Sequence, residues 1–163
     1  MNKKFSFIIC IALLLGLLGS CSAKKQYSNI IECAYITNEL QDQVLDGQAY
    51  ALYSAEDIAF MLDDVEDFDS YSVIYSTSSD DISEIGIFHA VSEEKSLELL
   101  DDLTDYLSDL KEEKGAFVRN YLPDEQKKLD GAKVRRFGNY VVFTVLPEAQ
   151  SNAVFEKIDK ILK

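Results

Sequence analysis

Seven consecutive residues, Tyr140-Val141-Val142-Phe143-Thr144-Val145-Leu146, carry no charge, and both sets of alternate positions are apolar except for Thr144. A half-exposed strand alternates apolar with polar; this one does not, so it belongs inside a sheet with a strand on each side. Gly138-Asn139 stands just before it, and Val134 to Phe137 precedes that pair. Gly and Asn accept the positive φ of a tight turn, so the two runs predict a hairpin. Pro147 closes the second strand.

A second pair of β-rich runs lies upstream. Tyr71 to Thr77 and Ile82 to Val91 are separated by the turn-forming Ser78-Ser79-Asp80-Asp81. In the second run Ile85, Ile87 and His89 alternate with Glu84, Gly86, Phe88 and Ala90. Between the hairpins, Ser92 is an N-cap with Glu93 and Glu94 in the first turn, where the helix dipole favours acids. Leu100, Leu103, Leu107 and Leu110, flanked by Leu97, form the apolar stripe of a helix to about Lys114, with Gly115 as its stop or bend. Its other face carries Glu98, Asp101, Asp102, Asp105 and Asp109. Pro123 opens a short helix that Gly131 ends, and residues 149–162 predict a last amphipathic helix. The expected fold is α+β: a four-stranded, mainly antiparallel sheet in β-β-α-β-β-α order with helices on one face. Residues 27–68 precede residues 69–163 as an N-terminal helical part of the same globular unit. Ile30, Cys33, Ala34, Thr37, Leu40 and Val44 predict a helix from Tyr27 to about Leu45, and Ser54 caps a short one to Leu62.

The first 26 residues set the compartment. Lys3 and Lys4 precede an uncharged apolar run, Phe5 to Leu18, broken clearly by Ser6 and Gly16 alone. Such a run is too short to span a hydrocarbon core, which needs roughly 20 residues, and a short apolar run behind a basic tip is the signal-peptide pattern. Leu18-Gly19-Ser20-Cys21 resembles the bacterial lipobox, in which the cysteine thiol takes a diacylglycerol and the leader is cut before it. Residues 1–20 are then the signal, Cys21 the lipidated N-terminus and residues 21–26 a short tether; two acyl chains anchor stably where one does not. Lys24 and Lys25 beside the lipid could touch anionic headgroups. The alternatives are cleavage after Ala23, leaving a secreted protein, and an uncleaved anchor. The expected location is the extracytoplasmic face of the cell membrane.

Removing the leader leaves 143 of 163 residues and takes two lysines from a net charge of −13, giving −15. That balance disfavours nucleic acid as a partner and keeps a secreted domain dispersed. Cys10 leaves with the signal and Cys21 is acylated, so Cys33 has no intramolecular partner; it reads as a buried apolar residue or, more sharply, an intermolecular disulfide.

No catalytic, cofactor or metal constellation emerges. His89 is the sole histidine, without a nucleophile placed beside it, and Cys33 with His89 lacks further zinc ligands. The acidic run 63–69 has no central glycine and lacks the EF-hand spacing; it reads as a solvated loop or a weak cation site. There is no glycine-rich phosphate loop. Three arginines, all the chain has, lie near two tyrosines in the sequence: Arg119, Tyr121, Arg135, Arg136 and Tyr140. They form the candidate ligand or partner patch, for an anion or a peptide, unless they pair with the acidic helix and loops.

Glu84-Ile85-Gly86-Ile87-Phe88, then Tyr121-Leu122-Pro123, then Gly138-Asn139-Tyr140-Val141 resemble the bacterial lipoprotein family containing domain of unknown function 4358, over about Asp69 to Leu162. The resemblance implies a lipoprotein of the Gram-positive envelope with a small α+β domain, and it brings no catalytic residues with it. The expected function is a non-enzymatic binding or scaffolding module for an envelope protein or polymer, with no cofactor. The alternatives are an accessory hydrolase acting on envelope polymers and small-solute or cation binding. Cys21→Ser should abolish metabolic labelling of the protein with a radiolabelled fatty acid; continued labelling would sink the lipid assignment.

Overall fold

A computed structural model describes residues 26–43, 49–62 and 64–163. The leader, Cys21 and Lys24–Lys25 lie outside the described residues, as does Asp63 of the acidic run. In chain order the elements are α1 (Cys33–Gln43), β1 (Tyr50–Leu52), α2 (Ala55–Met61), β2 (Phe68–Ser76), β3 (Glu84–Ala90), α3 (Glu93–Tyr121), α4 (Gln126–Asp130), β4 (Lys133–Phe137), β5 (Tyr140–Val145) and α5 (Glu148–Ile161). Short 3₁₀ turns at Val65–Asp67 and Pro123–Glu125 precede β2 and α4.

The sheet has five strands, not four, in the order β1-β2-β3-β5-β4, and every neighbouring pair is antiparallel. The extra strand is Tyr50–Leu52, an edge strand held on β2 by three residue pairs. Its three residues are too few to show a periodicity, so pairing alone defines it.

Helices cover both faces of the sheet, correcting the expectation of one. Phe88, Ala90, Val141, Phe143 and Val145 point into a core shared with Leu99, Leu103, Leu107 and Leu110 of α3. Ile85, Ile87, Tyr140 and Val142 point the other way, into a core with Cys33, Ile36 and Leu40 of α1 and Val154, Phe155 and Ile158 of α5. All six residues of β5 are buried, as an uninterrupted apolar strand demands. The buried stripe of α3 contains the predicted Leu103, Leu107 and Leu110 but has Leu99 in place of Leu100, which is half-buried, and leaves Leu97 exposed.

Gly115 does not end α3. The helix runs 29 residues to Tyr121, about 44 Å at 1.5 Å per residue, and stops before Pro123, which disfavours helical backbone in the residue it follows. Buried Val118 continues the stripe past the glycine, and this packing outweighs the roughly 1 kcal/mol helical cost of Gly. The opposite error occurs at the N-terminus: residues 27–32 are not helical. The Ser28 amide donates to the Leu162 carbonyl at 2.8 Å, and the Tyr140 hydroxyl both donates to the Ile31 carbonyl (2.7 Å) and accepts from its amide (2.9 Å). These bonds take backbone groups that a helix would use.

The two hairpins meet where Gly86 of β3 pairs with Phe143 of β5. A Cβ on Gly86 would lie 2.0 Å from Cε1 of the Phe143 ring, so the ring occupies the space the glycine leaves. Phe143 also sits edge-on to Tyr106 of α3 at 5.4 Å and stacks toward Phe88 at 6.4 Å. Gly86→Ala should displace this ring and lower stability by about 1–3 kcal/mol, the usual cost of overpacking; an unchanged urea midpoint would contradict the packing described.

Candidate functional site

Helix α3 is flanked by two clefts of opposite charge. On one side a cleft of about 520 Å³ runs along the edge of β4, between α3 and α5. Lys111 of α3 and Lys133 and Arg135 of β4 line it together with Leu107 and Phe155, and no carboxylate does. On the other side a cleft of about 510 Å³ separates α3 from α2 and carries Asp64, Asp102, Asp105, Asp109 and Glu113, with Phe60 93% exposed at its rim. Spacings of three and four bring the α3 carboxylates onto one side. Burial, and then the charges of Asp67, Asp64, Asp101 and Asp105, hold the Asp102 carboxyl above its ordinary value.

The basic cleft is the candidate site because its lining holds cations and no carboxylate, although Glu148 meets Lys133 and a second cavity brings Glu156 and Asp159 to the other side of Arg135. The Arg135 guanidinium lies 5.5 Å from the Phe155 ring centre and 5.8 Å from that of Phe137, and makes no ion pair among the described residues. The rings support the cation without neutralising it. Lys133 Nζ meets an exposed Glu148 carboxylate at 2.7 Å, an exposed pair of the kind that contributes under about 1 kcal/mol and exchanges easily. Lys111 Nζ reaches the Ala132 carbonyl at 3.4 Å.

The five residues of the sequence-predicted patch do not converge. Arg135 lines the cleft, facing α5. Arg136 points to the α3 side, where Nη1 donates to Ser96 Oγ (3.2 Å) and to the Gly138 carbonyl (3.0 Å) and stands 3.9 Å from Glu93. It is thereby tied to the start of α3. Arg119 and Tyr121 are at the other end of that helix, the guanidinium resting beside Gly115 and the exposed tyrosine ring 5.1 Å from Phe117. Tyr140 is wholly buried as the latch on Ile31. Reading arginines alone missed Lys111 and Lys133. The available signal was the run Lys-Val-Arg-Arg at 133–136 in an acidic chain, since edge strands carry such residues.

The remaining polar groups are committed to structure. His89 Nδ1 is 2.7 Å from Asp69, while its Nε2 is enclosed without a hydrogen-bond partner. Cys33 is fully buried, and burial pushes its thiol up to about 11 against the hydrogen bond to Ser70, which withholds it from disulfide chemistry. The acidic run is not a free loop: Asp67 is buried and takes Lys95 at 2.9 Å, and Asp69 lies in β2. Among the described residues no three His, Cys, Asp or Glu side chains are grouped to hold a metal ion. Nor is any described helix long and apolar enough to cross a membrane.

One buried carboxylate and a half-buried ion-pair cluster were invisible in the sequence. Glu84 lies under α3, where burial raises its carboxyl above the ordinary range although the hydroxyls of Tyr106 (3.0 Å) and Tyr53 and the charge of Lys114 pull it back. Lys128 bridges Asp81 and Glu125, each at 2.6 Å, and so ties the chain before α4 to the β2–β3 turn. Burial opposes the charge on Asp81, but hydrogen bonds from Lys128, Ser83 and Ser76 outweigh it and hold the carboxyl at about 2. Because that value is depressed in the fold, the stabilisation is present above the ordinary carboxylate pKa and is lost as pH falls toward 2. Lys128→Met should cost about 1–3 kcal/mol at neutral pH by leaving the half-buried Asp81 and Glu125 carboxylates without their cation and should flatten this acid limb; a variant that keeps wild-type stability and pH profile would refute the clamp.

The family described as Domain of unknown function (DUF4358) matches residues 53–146. The match begins at Tyr53, ahead of the Asp69 expected from the motifs, and ends at Leu146, before α5. No curated protein and no solved structure matches the chain. The matched span covers more than half of the sequence and contains β2 through β5 with α3 between the hairpins, so the chain belongs to the DUF4358 family.

Proposed function

We propose that this chain is a membrane-anchored extracytoplasmic lipoprotein whose folded part is a non-enzymatic binding or scaffolding module of the cell envelope. The anchor rests on the basic tip, the apolar run and the Leu18-Gly19-Ser20-Cys21 lipobox. The binding role is carried by one observation: in a chain of net charge −13, a cleft beside β4 gathers Lys111, Lys133 and Arg135 with no acid in its lining. A local positive cleft in a negative field steers acidic partners to one place and turns them away elsewhere.

The tether places that cleft near the lipid. Four residues lie between Cys21 and Gln26, so the five steps from one to the other reach about 18 Å when fully extended. Tyr27 then packs edge-on to Phe137 of β4 at 5.8 Å and bonds Asp159 of α5 at 2.8 Å. A partner held by this cleft therefore sits within a few nanometres of the membrane surface.

A photo-crosslinking amino acid at Asn152, in the cleft wall, tests the reading on intact cells. A discrete envelope adduct should form and should fall several-fold when Arg135→Glu is added. Failure to form an adduct, or one that Arg135→Glu leaves unchanged, would overturn it.

A further inference from the structure

The basic cleft contains main chain as well as charge. β4 is the outermost strand beyond β5, so one side of it carries no neighbouring strand. The two-residue turn Gly138-Asn139 makes Phe137 and Tyr140 the closing pair, and an antiparallel ladder alternates from there. Phe137, Arg135 and Lys133 thus direct their N–H and C=O toward β5, while Val134 and Arg136 direct theirs outward. Neither Val134 nor Arg136 makes a backbone bond outside the ladder among the described residues. The other edge, β1, is three residues long.

We infer that the cleft takes an extended acidic peptide segment as a sixth strand on β4, its backbone bonded to Val134 and Arg136 and its carboxylates set against Lys133 and Arg135. This deepens the binding role proposed above and rests on it. Side chains of an added strand alternate between the two walls. Positions beside Lys133 and Arg135 face α5, where Asn152 and Phe155 form the wall; the position beside Val134 faces Leu107 and Lys111 of α3. The matching segment has acids two residues apart with an apolar residue between them.

Charge decides against a second copy as occupant. Pairing β4 with β4 of another chain sets Lys133, Arg135 and Arg136 opposite their own kind, and like charges across a strand pair are destabilising. The same residues that keep identical edges apart attract an acidic one. A phosphate polymer would use the cations and accept from the outward N–H groups, but its phosphates offer no donor to the Val134 and Arg136 carbonyls, so the main-chain edge favours peptide.

The test uses the full acylated chain in phosphatidylcholine nanodiscs and a fluorescent Glu-Val-Glu-Val-Glu peptide. Saturable binding is expected, with slowed amide exchange at Val134 and Arg136. Replacing the peptide glutamates by glutamine, or Arg135→Glu in the protein, should weaken binding about tenfold, the equivalent of one charge-assisted hydrogen bond. N-methylation of alternate peptide amides, which keeps every charge, should abolish it. Val134→Pro removes an outward amide while leaving the ladder to β5 intact; if this variant fails to fold, the N-methylated peptide still decides. Equal binding of the N-methylated peptide, the absence of saturable binding, or protection of Val134 and Arg136 by self-association without peptide would each overturn the inference. Envelope adducts that depend on Arg135 alongside any of those results would retain the binding role and reject strand addition; loss of the adducts would reject both.

Discussion

Burial of β3 and β5 on both faces is the constraint on which the rest of the structure depends. Two adjacent strands with apolar side chains above and below cannot present either face to water. One helix layer covers a single face, so the chain supplies α3 on one side and α1 with α5 on the other. Full burial of a large apolar side chain is worth roughly 1.5–3 kcal/mol, and Phe88, Phe143, Ile85, Ile87 and Val142 are all fully buried on these two strands. The Phe143 ring fills the space beside Gly86 where the two hairpins pair.

The two-sided cover also produces the clefts. A single long helix over a five-stranded sheet leaves a furrow along each flank, and α3 is long enough to run past β4. Its inward stripe is apolar, so its charges fall on its sides and outer face. Lys111 falls beside the edge strand, whose own Lys133 and Arg135 complete a positive furrow. Asp102, Asp105, Asp109 and Glu113 fall on the opposite flank, beside α2. The resulting polarity belongs to helix phase and strand order together, and a net charge of −13 gives no hint of it.

The N-terminal segment binds the two halves of this arrangement to the proposed anchor. Tyr140, at the start of β5, holds Ile31 by two hydrogen bonds, and Tyr27 packs on the hairpin that carries β4. The open edge of the sheet therefore lies close to where the chain leads toward Cys21.

Residue patterns by themselves determined the strand–turn–strand units, the cap at Ser92, the turn at Gly138 and the interior position of Tyr140–Val145, because each follows from local backbone preference or from side-chain alternation. They also carried the family motifs. The continuation of α3 through Gly115, the strand at Tyr50–Leu52 and the non-helical course of residues 27–32 were decided by tertiary contacts, since Val118 packing, pairing with β2 and the Tyr140 latch come from residues distant in sequence. The same holds for the site. That three arginines stand out was legible in an acidic chain, but which of them lines a cleft was not. Arg135 and Arg136 are neighbours in sequence and point to opposite faces of the sheet, and Arg119 lies a full helix away from Arg136. Only the fold brings Lys111 across to Arg135, because proximity between a helix flank and an edge strand depends on packing that no local pattern encodes.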